Sequence, residues 1–184
     1  MPLVPYPNVD NLGDEARKTF DALPVKLNIF RMMANAETCV RAQLRLGSKI
    51  LGRQKLSDAM RELAILAVAK IESGEYEWIQ HVPIAISVGV PQPQIDAIAT
   101  GYFTAACFNP AERALLRLTE QVINKVKADE DVVREAQQFF SPREIVELIL
   151  AIGFYMTMAR LTETTRTDLD ASAGTAVIDT VPRS

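Results

Sequence analysis

The sequence predicts an all-α protein, a single-domain bundle of about seven to nine helices with an extended amino-terminal arm. Three observations carry this. Leu63, Ala64, Ala67, Val68 and Ile71 follow the i, i+1, i+4, i+5, i+8 spacing of a wide buried helical stripe. Asn109-Pro110-Ala111-Glu112 and Ser141-Pro142-Arg143-Glu144 each offer a cap residue, a proline in the first turn and a glutamate placed to reach back. No segment alternates apolar and polar residues for long, and no Asn-Gly hairpin dipeptide occurs.

Taken in order, residues 1–10 carry Pro2, Pro5 and Pro7, which fix φ and keep the chain extended. Such an arm needs a surface to lie on, either a neighbouring subunit or the chain's own. Residues 13–22 place acids early, where the helix dipole favours them, and stop before Pro24. A short helix is expected over 28–34. The next, 36–51, has Asn35 as its cap and Gly52 at its end, with Val40, Leu44, Leu46 and Ile50 only loosely on one face.

Ser57 caps the following helix, with Leu56 available as a hydrophobic staple, and residues 73–75 break it. The helix after that carries Pro83, which cannot donate to the Ile79 carbonyl, so a kink or local break is expected there. Gly89 ends it, Pro91 or Pro93 opens a short helix over 94–99, and Gly101 closes that one. After Asn109, Leu115, Leu118, Val122 and Val126 mark the buried side. After Ser141, Ile145, Leu148, Ile149 and Ile152 do so, in a helix running on through 169 and tolerating Gly153 at about 1 kcal/mol relative to alanine. The tail, 171–184, lacks periodicity and is expected to be peripheral.

Length and composition fit one domain, 1–184: of 184 residues, 48% are apolar and 23% charged. A net charge of −3 leaves no basic footprint for nucleic acid. No run of uninterrupted apolar residues is long enough to span a bilayer, and the first ten residues do not read as a signal peptide, so a cytoplasmic address without a membrane partner is the expectation. Cys39 and Cys107 form no metal or redox motif and read as small apolar residues in a reduced compartment.

Chemistry concentrates between Ser57 and Gly89. This stretch holds the only histidine, His81, and the only tryptophan, Trp78, with Glu72, Glu75 and Glu77 just upstream and Glu62 on the preceding helix. Glu77 and His81 lie four residues apart, so they share a helix face and the carboxylate can orient the imidazole. Histidine's ordinary pKa of about 6.5 suits it to proton exchange near neutrality. A surface Glu–His pair worth a few tenths of a kcal/mol explains the same spacing. Tyr76 and Trp78 fill a core or interface more often than they stack on a ligand. One histidine with two glutamates could also ligate a metal, but no other ligand spacing supports it.

The segment 61–90, with Arg61-Glu62-Leu63-Ala64, Glu75-Tyr76-Glu77-Trp78 and His81, resembles the carboxymuconolactone decarboxylase family, which includes the alkylhydroperoxidase D-like (AhpD-like) proteins. Residues 28–51 resemble the family's segment before that motif, and 141–161 its last long helix, so the likeness covers most of 25–165. It implies an AhpD-like helical fold. In the peroxidase branch a Cys-x-x-Cys pair precedes the histidine and a glutamate on the preceding helix completes a proton relay. Glu62 matches that glutamate and His81 the histidine, whereas the cysteine positions fall on Gly74 and Glu77, leaving no thiol to attack a peroxide.

The resemblance then implies a cofactor-independent lyase or isomerase acting on a small carboxylated lactone or keto acid. His81 is the expected proton donor, with Glu62 and Glu77 orienting it or sharing the proton. Tyr76, Trp78 and Arg61 are expected to contact the substrate, and Arg61 or Arg160 to meet its carboxylate. No metal or cofactor is expected. The alternative is a non-catalytic binding or assembly protein on the same fold, with Met32, Met33, Met156 and Met158 in core or interface. Peroxidase activity ranks third. A homo-oligomer (dimer, trimer or hexamer) is expected in either case.

Overall fold

Residues 61 to 69 are all buried, including Arg61 and Glu62. That is the signature of a helix surrounded by others, and in the computed structural model, which describes residues 1–177, this helix forms the centre of the bundle. In chain order the helices are α1 (Asp14–Asp21), α2 (Asn28–Met33), α3 (Glu37–Arg53), α4 (Asp58–Ile71), α5 (Glu75–Ser87), α6 (Gln92–Ala99), α7 (Pro110–Lys125), α8 (Glu130–Ala136) and α9 (Pro142–Thr165). Two short 3₁₀ turns, Val9–Asn11 and Gly174–Val177, flank them. No strand occurs among the described residues. Helix α4 packs on α5, α6, α7 and α9.

By length and composition α9 would suffice to cross a membrane, with a mean hydropathy of 1.6 over an 18-residue window. Here it is a core helix, packed on α3, α4, α5 and α7. Two apolar clusters result. The larger joins α4, α7 and α9 through Leu63, Leu66, Leu115, Leu148 and Ile152. The smaller gathers Leu12, Ile29, Met33, Val40, Tyr76 and Met158. Phe154 packs against both.

The strongest start signals form as expected. Asn109 and Ser141 each complete a capping box with Glu112 and Glu144. Ser57 Oγ accepts from Met60 N at 3.4 Å. Gly89 and Gly101 follow their helices at φ +93° and +75°, a conformation glycine adopts without steric cost.

Several details differ. Asn35 does not cap α3, whose cap position is Ala36. Its amide donates instead to the carbonyls of Pro5 and Met32, at 3.1 and 3.3 Å. Gly52 does not stop α3, which ends one residue later. Leu46 is 41% exposed, in keeping with the loose pattern of that helix. Pro83 sits inside a continuous α5, because tertiary packing on α4 and α9 outweighs one missing hydrogen bond. Val126 is 89% exposed at φ +65°, one residue past the last turn of α7. Ile149 faces outward on α9, and α9 ends at Thr165, where Arg166 turns left-handed. Helix α8 was not legible, since its seven residues bury only Val132 and Ala136.

The proline-rich arm lies on the chain's own surface. Leu3 N donates to the Thr165 carbonyl at 2.7 Å, and the Arg31 guanidinium stacks 4.5 Å from the Tyr6 ring centroid. Just before the tail the chain is anchored by a carboxylate. The Asp170 carboxylate accepts from Asn28 N at 2.6 Å, from Asn28 Nδ2 at 2.8 Å and from the Tyr76 hydroxyl, tying α2 to α5. Polar side chains, not apolar periodicity, make this anchor. The last part of the tail, 178–184, lies outside the described residues.

Candidate active site

Between α4 and α5 the chain reverses over residues 72–74, with Ser73 at φ +57° and Gly74 N bonded to the Ala69 carbonyl at 2.8 Å. This turn folds α5 back onto α4 and brings residues 62 and 81 together. His81 Nδ1 lies 2.8 Å from Glu62 Oε2. Arg61 Nε donates to Glu62 Oε1 at 3.3 Å, and Arg61 Nη1 to Asp58 Oδ1 at 2.7 Å. A chain of charged and polar groups thus runs from the half-exposed Asp58 through Arg61 and Glu62 to the imidazole. A carboxylate that also accepts from a buried guanidinium is an acceptor toward histidine, which assigns the proton of that bond to Nδ1 and leaves Nε2 for a substrate.

Glu62, Glu77 and His81 are 0%, 3% and 7% exposed, which removes the surface-pair explanation for their spacing. Glu77 and His81 do share a face of α5, yet Glu77 does not orient the ring. Its carboxylate oxygens accept instead from Thr162 Oγ1 on α9, at 3.3 and 3.2 Å. That hydroxyl also lies 3.1 Å from the carbonyls of Met158 and Ala159, and it has only one hydrogen to share. Burial therefore pushes the Glu77 carboxyl up to about 7. The Tyr155 ring meets His81 edge-on, with centroids 4.7 Å apart at 86°. Burial holds the Tyr155 hydroxyl far above its ordinary pKa, so it stays protonated.

His81, Glu77, Tyr76 and Tyr155 open onto a cavity of about 400 Å³ at the junction of the two apolar clusters. Its walls come from the segment between α1 and α2 (Leu23, Val25, Leu27), from α3 (Leu44, Gly47, Leu51) and from α9 (Phe154, Met158). Glu62 stands behind His81 and does not line it.

Three residues expected at a substrate do not line this cavity. Arg61 is buried in α4 and committed to Asp58 and Glu62, and Trp78 packs against the larger apolar cluster on another side of α5. Arg160 is on the surface, paired with Glu72 through Nε at 2.8 Å. Cys39 and Cys107 are free and exposed, and neither lines the cavity. Among the described residues no group of three or more His, Cys, Asp or Glu side chains is arranged to hold a metal ion.

Sequence reasoning missed Tyr155, Met158 and Thr162. They stand three and four residues apart on one face of α9, and two hydroxyls recurring on an otherwise apolar stripe were the available signal. The α1–α2 segment gave none.

Residues 39–121 match the carboxymuconolactone decarboxylase family. That segment contains Glu62, Gly74, Glu77 and His81 but not the α9 wall of the cavity. No curated protein matches the chain. Among solved structures, an uncharacterized peroxidase-related protein from Ralstonia eutropha JMP134, described as an alkylhydroperoxidase AhpD core, superposes with a TM-score of 0.78 at 19% identity over 92% of both chains. An uncharacterized peroxidase-related protein from Silicibacter sp. TM1040 gives 0.77 at 19% identity, again over 92% of both chains. A protein of unknown function from Agrobacterium tumefaciens gives 0.69 at 21% identity, covering 75% of this chain and 94% of its own. The chain is thus similar to the carboxymuconolactone decarboxylase family over residues 39–121, and it has the AhpD-like helical fold.

Proposed function

We propose that this chain is a cofactor-independent lyase or isomerase that moves a proton at a carbon next to a carbonyl group. One observation carries the reading. His81, held at Nδ1 by Glu62, and Glu77, whose carboxyl gains and loses its proton near neutrality, face one largely apolar cavity.

In an isomerisation, the Glu77 carboxylate takes the α-proton and the C–H electron pair becomes the C=C of an enolate. The imidazolium form of His81 gives its Nε2 proton to the carbon at the far end of the conjugated system. The cycle closes when Glu77 returns its proton to His81. In a decarboxylation, carbon dioxide leaves with cleavage of a C–C bond, the pair enters the enolate, and His81 protonates the carbon. Glu62 positions His81 in both cases, and the Arg61 guanidinium beside it balances the carboxylate's charge. Both exposed cysteines are free, which fits a reducing compartment, and a cytoplasmic address is part of the same proposal.

The test is turnover of a panel of lactones and keto acids by the parent, His81→Gln and Glu77→Gln. Each variant is expected to lose about 10²–10⁴-fold in kcat. Turnover at the parent's rate by both variants would overturn the assignment.

A second reading, a non-catalytic assembly protein, is favoured by one feature. Helix α9 exposes Val146, Ile149 and Leu150 on one face, at 56%, 42% and 52%. A homo-oligomer buried on that face is compatible with either reading. Leu150→Lys is expected to lower the sedimenting mass without changing the melting temperature. A monomeric parent would remove the assembly reading.

A further inference from the structure

We infer that the cavity selects a neutral, largely apolar carbonyl compound and discriminates against carboxylates. This rests on Glu77 and His81 being the reacting groups, and it specifies what they act on. Three observations lead to it.

The first is charge. Among the described residues no lysine or arginine lines the cavity, and the only ionisable side chains on its wall besides the tyrosines are Glu77 and His81. When His81 is protonated, its charge is already faced by Glu62 at 2.8 Å. An incoming carboxylate would therefore meet Glu77 with no lysine or arginine on the described wall to offset either the repulsion or its own desolvation.

The second is the fate of the arginines nearest in sequence to the site. Arg61 donates through Nε and Nη1 to Glu62 and Asp58, with its Nη2 buried and unpartnered inside the bundle, and Arg160 donates to Glu72 at the surface. Neither reaches the cavity wall, so the described residues offer no bidentate carboxylate clamp there. The third is the wall itself. Leu, Ile, Val, Met and Phe side chains supply most of it, and a volume of about 400 Å³ suits an apolar body rather than a fragment made mostly of polar groups. Such a substrate directs the chemistry toward isomerisation or a shift of a double bond rather than loss of carbon dioxide.

The experiment uses the full chain and a matched pair of probes, benzylacetone (a neutral aryl ketone) and phenylbutyrate (the acid of similar size and shape). His81 is the only histidine, so its ring gives one set of imidazole resonances on which binding can be read. At about pH 8, where Glu77 with a carboxyl pKa of about 7 is mostly ionised, benzylacetone is expected to shift these resonances and to bind about tenfold or more tighter than phenylbutyrate. Glu77→Gln is expected to narrow that gap by strengthening phenylbutyrate alone.

Equal or tighter binding of phenylbutyrate by the parent overturns the inference, as does the absence of any shift with either probe at millimolar concentration. Solvent deuterium exchange at the α-carbons of benzylacetone, followed in the same samples, reports separately on the proton-transfer reading. Binding with the expected preference but no exchange would sink that reading and leave the selectivity standing. Exchange together with a preference for the acid would do the reverse.

Discussion

A Cβ on Gly74 would lie 2.8 Å from Glu77 Oε2 and 2.9 Å from the Ala159 Cβ. The glutamate's carboxylate thus fills the space a side chain at 74 would need. The two positions where the resembling peroxidases carry a thiol pair are coupled here in another way: one stays empty so that the other can hold a carboxylate against α9.

Gly74→Ala is therefore expected to displace Glu77 or α9 and to cost about 1–3 kcal/mol by overpacking. Urea unfolding of the variant against the parent measures this. An unchanged midpoint would mean that the carboxylate moves aside freely.

Glu62→Gln removes the negative charge between Arg61 and His81 in a fully buried position. With the guanidinium left in the core facing only the half-exposed Asp58, the expected cost is about 3–5 kcal/mol. Denaturant midpoints test the energy. Nitrogen NMR of the His81 ring tests the positioning, since the variant is expected to populate both tautomers.

Glu77 makes stability depend on pH in a defined direction. Its carboxyl is raised from 4.5 to about 7 in the folded protein, so the folded state holds the proton more tightly than the unfolded chain does. The stability this contributes is fully present below pH 4.5 and is lost as pH rises toward 7, by about 3 kcal/mol at most. Glu77→Gln is expected to flatten that part of the profile, which unfolding midpoints across the range will show. A parent profile that rises with pH in this window would contradict the protonated, buried state of Glu77.

Asp170→Ala removes the acceptor shared by Asn28 and Tyr76. The expected result is a loss of about 1–3 kcal/mol, as buried donors lose their partner. Faster hydrogen exchange at Asn28 N, with little change at α7, would localise the effect.

Local spacing made much of the site legible. A spacing of four from Glu77 to His81 places both on one helix face whatever the rest of the chain does, and the turn at 73–74 shows in the sequence as a helix break. Which carboxylate holds the imidazole was not legible. Glu77 is nearer in sequence, but a 2.8 Å bond from Nδ1 to Glu62 requires α4 to cross α5 at a particular height and both side chains to take particular rotamers. Burial of Arg61 follows from the same crossing: position 61 faces inward because α5, α7 and α9 all lie around α4.

By itself, then, the sequence determined the helical class, the two capped starts at Asn109 and Ser141, and the set Glu62, Gly74, Glu77 and His81. Each depends on interactions within a few turns of helix or on residue identity at a fixed spacing. The tertiary structure alone decided that Glu62 positions the ring, that Thr162 and burial set the Glu77 proton, and that a cavity whose described wall is largely apolar and holds no lysine or arginine lies in front of them. Those properties arise between elements distant in the chain, 85 residues apart for Glu77 and Thr162 and more for the walls of the cavity. No local period encodes how far apart such elements settle once two apolar clusters have packed around Phe154.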